Sequence, residues 1–496
     1  MHPPRSRRAT TTFHRRRRPG ERVGALRLAL PAVLALWFIW KGRSNGLFLL
    51  GIPVLMVMKG AVFFENMTPF WKPGRFQPVT LLMGWLVLVW IVTVARRSRL
   101  DDRPVGLFGA GRILPEELPL IGIALLIAAH AVAAFTATGD LQNAAASASG
   151  ASYLLLGYLL LRGIASRATR AETQEFLAAV VLVNTVACGL FILDQGLHVP
   201  IYLGQANITS LSAGQDITRA TTFAPMFNLL ALGFVLARRR WTAGWLIVLA
   251  ITLLAILVSL TRTLIIAAFV GVIVAIVARE LARPDFNRVA RRIGSIVLGG
   301  AVVVAAFSRI APAYWRFLLK RFSEFTSGRS GTQVSNWHIR VIHWDAVERV
   351  VAKSDQLFGL GFPKAASNSV GLHIYLWSAD MTWLPIMYMF GYVGLALFGL
   401  LLAGFMTRAL RLSLRPPELR RELCLTYFIT IALTVIMGFQ MWTFMESSVY
   451  PMGLLIFAFA AAEALRAAEK TDDLAAPADH LVSAAGGDRL QPARLP

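Results

Sequence analysis

Cysteine and charged residues are both scarce in this chain of 496 residues. The two cysteines, Cys188 and Cys424, fall inside apolar runs. A disulfide framework or a cysteine metal site is therefore unsupported, and both are predicted to be small buried hydrophobes. Charged residues make up only 16% of the sequence, against 56% hydrophobic residues and a mean hydropathy of +0.59. This excludes a soluble globular protein and indicates an all-α, polytopic membrane protein.

Motifs for metal-dependent and hydrolytic chemistry are also missing. The sequence has no His-Glu-x-x-His, no Asp-x-Asp and no Ser-His-Asp spacing, so metal-dependent sugar transfer and hydrolysis lack support. The pair Gly359-x-Gly361 has no helix-opening third glycine and no βαβ unit around it, which makes it weak evidence for a nucleotide. It does predict a turn whose backbone can approach another surface closely. We expect no metal and no cofactor.

Apolar runs of near-spanning length recur along the whole chain. Thirteen qualify, at 25–40, 46–63, 78–95, 118–137, 147–161, 174–197, 222–237, 242–260, 263–278, 293–311, 382–405, 424–442 and 451–466. Lys41, Arg43 and Lys59 interrupt the first two, which we expect to supply one complete crossing between them. The sequence thus predicts a bundle of about twelve transmembrane helices with both termini in the cytoplasm.

Positive charge is abundant, with a formal net charge of +23. It is concentrated in short connections between apolar runs, which is typical of topology signals and not of a nucleic-acid surface. Five connections are strongly basic, and alternation through the spans puts them on one side: 96–112, 162–170, 238–240, 279–292 and 408–421. That side is predicted to be cytoplasmic because Lys and Arg in short loops are retained there.

The same patterns divide the chain into five parts. They predict a disordered basic cytoplasmic arm at 1–22, transmembrane helices at 23–311, an outward polar loop with amphipathic helices at 312–380, transmembrane helices at 381–468 and a disordered cytoplasmic tail at 469–496. The arm has a basic run and almost no large apolar residues, and the tail is rich in Ala, Asp and Pro. Such compositions favour disorder.

Two arginines stand on the outward side, against the usual bias of positive charge. Arg219 comes just before the run at 222–237, and Arg262 lies at a tight tip between two runs, flanked by Thr261 and Thr263. Each is expected at an outward helix N-terminus, where unpaired N–H groups and the helix dipole attract anions. We predict a ligand that carries phosphate or pyrophosphate. The alternative is that these arginines only extend to the lipid headgroups.

The outward loop contains one amphipathic helix. Its apolar stripe, at helical spacing, is Trp337, Val341, Trp344, Val347 and Val351. This pattern predicts a helix lying on or against the membrane face. Arg340 lies at the edge of the stripe, and either points into a cleft shared with Arg219 and Arg262 or is an ordinary solvated charge.

Asp380 lies at the mouth of the span that follows the loop. A carboxylate at a membrane boundary is costly unless it is paired or used, so Asp380 is the candidate general base. His373 and His343 are alternative bases.

The order of these motifs resembles the O-antigen ligase and O-antigen polymerase superfamily of bacterial inner-membrane proteins. The resemblance covers about residues 215 to 400. It comprises Arg-Ala-Thr-Thr-Phe at 219–223 with Asn228, Ser-Leu-Thr-Arg at 259–262, Arg340 with Trp344, Leu-Phe-Gly-Leu-Gly-Phe at 357–362, Asp-Met-Thr-Trp-Leu at 380–384 and Gly-Tyr-Val-Gly at 391–394.

The resemblance implies a metal-independent, inverting, GT-C-like glycosyltransferase. Such an enzyme takes a glycan from an undecaprenyl pyrophosphate carrier on the periplasmic side and passes it to a glycan acceptor. Arg219, Arg262 and Arg340 would hold the pyrophosphate, with Thr261 and Thr263 beside them, and would stabilise its developing charge. A chain-length regulator and a flippase are further candidate partners.

One departure from the family pattern separates the possible activities. Ligases of this superfamily usually carry His-Asn where this chain has Asp380 and Met381. This favours a polymerase of O-antigen or exopolysaccharide repeat units over a ligase that transfers glycan to lipid A core. A transporter or flippase for lipid-linked oligosaccharide is the alternative of another class, and a scaffold subunit of an export complex is a third.

Overall fold

The computed structural model of the protein describes residues 21–57, 78–97, 113–196, 207–211, 215–219, 225–259, 262–280, 286–310, 312, 315–316, 318–319, 336–353, 356–361, 383–438 and 450–475. These residues form fourteen α-helices, in agreement with the predicted all-α class. They are α1 (Glu21–Lys41), α2 (Gly51–Val57), α3 (Pro78–Arg97), α4 (Leu118–Thr138), α5 (Leu141–Arg167), α6 (Arg170–Gly196), α7 (Pro225–Ala237), α8 (Ala243–Val258), α9 (Arg262–Glu280), α10 (Phe286–Ile310), α11 (Asn336–Lys353), α12 (Trp383–Ser413), α13 (Glu418–Gly438) and α14 (Tyr450–Ala475). Short 3-10 turns at Gly46–Leu50 and Pro115–Glu117 precede α2 and α4.

A two-stranded hairpin is the one addition to the helices in the described part. Its strands are β1 (Asn207–Leu211) and β2 (Gln215–Arg219), paired antiparallel with Asn207 opposite Arg219. Ile208 and Thr218 form one of the cross-strand pairs, and β-branched residues favour strands. The hairpin lies between the apolar runs at 174–197 and 222–237. No secondary structure was predicted for this segment.

Four helices are long and apolar enough to cross a membrane, and their spanning segments are Pro115–Ala137, Arg170–Leu193, Trp383–Ser413 and Glu418–Gly438. Seven shorter apolar helices of 10–17 residues accompany them: Leu30–Lys41, Gly46–Leu55, Leu81–Arg96, Phe227–Ala237, Ala243–Val258, Leu264–Arg279 and Val297–Arg309. The chain is therefore a multi-pass membrane protein by helix length and composition. The count of about twelve crossings stays a prediction, and α14 continues to Ala475, into the segment from 469 expected to be a tail.

Helix α13 lies at the centre of one half of the bundle, where α7, α9 and α12 all pack against it. Close contact is possible because glycines face it: a Cβ on Gly233 of α7 would lie 2.5 Å from Thr430 Oγ1. The hydroxyls of Thr426, Thr430 and Thr434 donate to backbone carbonyls four residues earlier, at 2.7–2.8 Å. These polar side chains are satisfied within the helix and can be buried at low cost.

Helix α5 organises the other half and packs against α14, α4 and α3. In α14, Ala458, Ala461 and Ala464 follow at intervals of three residues, and all are fully buried. Small residues along one face let neighbouring helix backbones approach closely, as is common between membrane helices. The alanine-rich sequence of α14 thus explains its tight contact with α5.

Candidate functional site

At one end of the bundle, a buried carboxylate connects several helices by binding three arginines. Glu463 Oε1 of α14 accepts hydrogen bonds from Arg170 Nε at 2.6 Å and Arg420 Nε at 2.9 Å, and its Oε2 accepts from Arg466 Nη1 at 2.9 Å. The Glu463 side chain is 1% exposed. Charge-assisted hydrogen bonds of this kind are strong in a buried setting, so Glu463 ties together the ends of α6, α13 and α14.

A second buried carboxylate at this end joins the start of α4 to α5. Glu117 forms a salt bridge with Arg162, 2.6 Å from Nε to Oε1, and accepts from Tyr158 Oη at 2.5 Å. Its Oε2 also accepts from the backbone N–H of Leu114 at 2.8 Å. Glu117 is thus fully satisfied although it is buried.

The connection between α7 and α8 belongs to the same end. Arg238 pairs with Glu422 of α13 at 3.2 Å, and its guanidinium lies 4.3 Å from the ring centre of Phe234. Burial lowers the pKa of Arg238, and the charge of Glu422 acts in the opposite direction. Arg279 of α9 donates to the Arg238 carbonyl at 2.5 Å, and Arg96 of α3 donates to the Gly42 carbonyl at 2.6 Å.

These contacts link the described parts of four basic connections, at 162–170, 238–240, 279 and 408–421. Arg96 joins them through the turn at 42–45, where Asn45 Nδ2 donates to the Glu172 carbonyl at 3.0 Å. We call this end the arginine-rich edge. The prediction that the five connections share one side is confirmed for these residues, and the assignment of that side to the cytoplasm stays a prediction.

The opposite end, which we call the far end, is defined by the starts of α7, α9 and α12. Each of these helices reaches the arginine-rich edge near its C-terminus, through Arg238, Arg279 and Arg408 respectively. From Arg262 to Arg279 the rise along α9 is about 26 Å, close to the hydrocarbon thickness of about 30 Å. Because all three helices pack on α13 and meet the edge near their C-termini, they all begin on the side away from that edge.

Two of the predicted anion-binding residues lie close to these helix starts along the chain. Arg219 is the last residue of β2, before α7 begins at Pro225, and Arg262 is the first residue of α9, followed by Thr263. The end of α8 is capped by Ser259, whose Oγ donates to the Ile256 carbonyl at 2.7 Å. Helix α8 ends at Val258 and α9 begins at Arg262, so the predicted helix start at Arg262 is present.

Other predicted site residues lie outside the described part. These are Asp380, His373 and Thr261, together with the side chains of Arg219, Arg262, Thr263, Arg340 and His343. The backbone of Arg340 and His343 is helical, in α11. The structure therefore gives the order of the helices around the site, and the contacts of its charged groups stay predictions.

Helix α11 packs on the first turns of α12. Val347 and Val351 form a small buried cluster with Leu384 and Met387, next to partly buried Trp344. The predicted apolar stripe is confirmed over these turns. Val341, however, is 38% exposed. It lies toward the N-terminal end of α11, before the turns that contact α12.

Helix α12 is interrupted at Gly391, which has φ +62° and ψ −159°. The segment 356–361 crosses the break and pairs with the freed backbone groups. Leu360 and Gly361 N–H groups donate to the Tyr388 and Met389 carbonyls, at 2.8 and 3.0 Å. In return, the N–H groups of Tyr392 and Val393 donate to the carbonyls of residues 356 and 357, both at 3.0 Å. We call residues 356–361 the strap. Its four hydrogen bonds give new partners to backbone groups of α12 that the break separates from their helical ones, which lowers the cost of the break in an apolar setting.

Glycine is required on both sides of this crossing. A Cβ on Gly391 would lie 2.4 Å from the Leu357 carbonyl oxygen, and a Cβ on Gly359, at φ +76°, would lie 2.5 Å from Gly391 N. The predicted close approach of the 357–362 turn to another surface is therefore confirmed. That surface is the Gly-Tyr-Val-Gly motif at 391–394, a pairing that sequence reasoning missed.

Two side-chain contacts hold the strap and α11 in place. His130 Nε2 of α4 donates to the Phe358 carbonyl at 2.8 Å, and Tyr392 Oη donates to Glu348 Oε1 at 3.3 Å. His130 was not among the predicted residues because it lies inside an apolar run with no motif around it. Its partner is a backbone carbonyl 228 positions later, which leaves no signal in the sequence.

A buried polar cluster lies in the first turn of α7, around Asn228. Asn228 Oδ1 accepts from Asn184 Nδ2 at 3.1 Å and from Cys188 Sγ at 3.2 Å, and Asn228 Nδ2 has no hydrogen-bond partner. Asn228 and Cys188 are fully buried, as is Cys424. The burial predicted for both cysteines is confirmed. No group of three or more His, Cys, Asp or Glu side chains that could hold a metal ion occurs among the described residues.

Comparison with known proteins adds no family to these observations. The chain matches no family model, and a comparison with curated proteins also gives no match. The resemblance to the O-antigen ligase and polymerase superfamily therefore rests on the order and spacing of the motifs at 219–223, 259–262, 340–362 and 380–394.

Proposed function

We propose that this chain is a polymerase of undecaprenyl-pyrophosphate-linked oligosaccharide repeat units, of the O-antigen or exopolysaccharide class. It would sit in the bacterial inner membrane with about twelve crossings and both termini in the cytoplasm, and would act at the periplasmic far end. The observation that carries the proposal is that α7, α9 and α12 all pack on α13 and all begin on the side away from the arginine-rich edge.

The far end suits a pyrophosphate. Arg262 opens α9, and Arg219 precedes α7, so both are close to the positive ends of helix dipoles. Thr261 and Thr263 add hydroxyl donors. Arg340 lies two turns before Val347 in α11, the helix whose later turns pack on α12. Arginine suits this role because its planar fork binds phosphate oxygens bidentately.

The reaction follows from these groups without a metal or cofactor. Asp380, three positions before α12 begins at Trp383, takes the proton of an acceptor hydroxyl, whose oxygen attacks the anomeric carbon with inversion. The bond from that carbon to the pyrophosphate oxygen breaks, and the electron pair stays on the pyrophosphate, where the arginines stabilise it. His373 and His343 are the alternative bases. The reference pKa of Asp is about 3.9, so burial must raise it for efficient catalysis near neutrality.

An elongation assay tests this activity. The full chain in nanodiscs is incubated with lipid-linked repeat units, with and without lipid A core, and the products are separated by length. The proposal predicts longer glycans that remain on the polyprenyl carrier. Transfer to lipid A core without elongation would instead assign the ligase activity.

A transporter for lipid-linked oligosaccharide is the second candidate, and the break of α12 at Gly391 favours it, because discontinuous helices are typical of transporters. Against it, the Tyr388 and Met389 carbonyls and the N–H groups of Tyr392 and Val393 are bonded to the strap and so are not directed at a ligand. Movement of lipid-linked substrate across vesicles without new glycosidic bonds would decide for a transporter.

A further inference from the structure

A cleft of about 490 Å³ opens on the side of the bundle next to the arginine-rich edge. It lies between α12 and the 3-10 turn that leads into α4. Its lining is mostly apolar and comprises Pro115, Glu116, Leu118, Pro119, Leu397, Leu400 and Gly404. Leu118 and Leu400 are 57% and 60% exposed. Since these are apolar residues of membrane helices, the cleft faces the lipid.

One carboxylate at this cleft lacks a full set of partners. Glu116 approaches Arg408 at 3.7 Å, Oε1 to Nε, which is too long for a hydrogen bond. Glu116 Oε2 and Arg408 Nε are both without a hydrogen-bond partner. The neighbouring Glu117 is fully satisfied, as described above. Glu116 and Arg408 are only 15% and 29% exposed. Glu116 lines the cleft and Arg408 lies one turn after Gly404 in α12, so two loosely paired opposite charges lie beside an apolar cleft.

The apolar residues of α12 that line the cleft extend from these charges toward the middle of the helix. Leu397, Leu400 and Gly404 lie three and four residues apart, on one face of α12. From Leu397 to Arg408 the rise is about 16 Å, which is a length that suits most of a fatty acyl chain. At Gly404 a Cβ would lie 3.3 Å from the Glu116 Cβ, so the glycine allows the turn before α4 to lie close to α12.

We propose that this cleft binds a phospholipid with an ethanolamine headgroup. The primary ammonium donates to the exposed part of the Glu116 carboxylate, the phosphate accepts from the exposed part of the Arg408 guanidinium, and one acyl chain lies along Leu397 and Leu400. Each group of the loosely paired charges then gains a partner of opposite charge. A choline headgroup has no N–H to donate, and a glycerol headgroup leaves the carboxylate without a cation. The charge pair therefore selects ethanolamine.

Native mass spectrometry of the full chain, stripped of lipid in detergent, tests this site. Phosphatidylethanolamine, phosphatidylcholine and phosphatidylglycerol are added in turn, and the bound fraction is measured. Phosphatidylethanolamine should bind about tenfold more tightly than the other two, as expected for one charged hydrogen bond. Equal binding of the three lipids, or preference for phosphatidylglycerol, would overturn the proposal.

Three variants make the test specific. Glu116→Gln should lower phosphatidylethanolamine binding to the level of phosphatidylcholine, and Arg408→Gln should weaken all three lipids. Leu400→Trp fills the cleft from its lipid-facing side, so it should lower lipid binding without burdening the fold. Leu88→Trp is the matched control, because Leu88 is 47% exposed on α3, away from the cleft. Unchanged selectivity in Glu116→Gln, or equal loss in Leu400→Trp and Leu88→Trp, would contradict the assignment.

Discussion

The two ends of the bundle satisfy their polar groups in different ways. At the arginine-rich edge, side chains do so: Glu463 and Glu117 each collect several donors from different helices. At the far end, the described contacts are mainly between backbone groups, where the strap pairs with the break of α12. At the edge, the buried carboxylates of Glu463 and Glu117 are thus paired within the protein. The far end is shaped by glycines, and three helices begin there near the predicted arginines.

The largest expected effect on stability at the edge comes from removing the charge of Glu463. Glu463→Gln keeps the shape but leaves Arg170, Arg420 and Arg466 without a counter-charge in a buried site. We expect a loss of about 3–5 kcal/mol in the free energy of unfolding, measured by denaturation in detergent.

The matched control is Glu418→Gln at the same edge. Glu418 pairs with Arg239, but the two side chains are 56% and 57% exposed. Exposed pairs contribute about 0–1 kcal/mol, so this variant should be close to wild type. Similar losses in both variants would show that burial of the Glu463 cluster is not what stabilises the edge.

The far end is tested by Gly391→Ala. The new Cβ meets the Leu357 carbonyl at 2.4 Å and the residue is held at positive φ. Strain of this kind costs about 1–3 kcal/mol before the clash is counted, so protease cleavage in the strap should become faster as stability falls. Gly399→Ala in the same helix has open space around it and should be neutral or slightly stabilising. Equal behaviour of the two variants would contradict the described crossing.

The smallest effect is expected at His130. His130→Ala removes the donor to the Phe358 carbonyl, and one such hydrogen bond contributes about 1 kcal/mol. Hydrogen exchange of the strap should increase locally, while the arginine-rich edge stays protected. An increase spread over both ends would mean that His130 supports the whole bundle and not the strap alone.

Hydropathy and charge along the sequence were sufficient for the class of fold and for the grouping of the basic connections, since both signals are local. The cluster around Glu463 was not predicted, because its three arginines, at positions 170, 420 and 466, are brought together only by folding. The hairpin at 207–219 was missed because its strands have five residues each, too few for a clear alternation.

The candidate site shows the same limit. The glycines at 359, 361 and 391 were recognisable as turn or motif residues, but their pairing depends on a helix break that the apolar sequence of α12 does not predict. From sequence alone, the segment around Gly391 is predicted as continuous helix. Conversely, helix starts at Arg262 and after Arg219 were predictable, because breaks between apolar runs fix them.

The central claim, that the far end holds a pyrophosphate during glycan transfer, is tested most directly at Arg262. Chain growth by Arg262→Ala is compared with growth by Arg309→Ala, which removes an exposed arginine at the end of α10 that is not among the proposed site residues. Loss of one group that stabilises developing charge lowers the rate about 100-fold or more. We therefore predict that loss for Arg262→Ala and a near wild-type rate for Arg309→Ala. Unchanged chain growth in Arg262→Ala, with both proteins folded, would contradict the account.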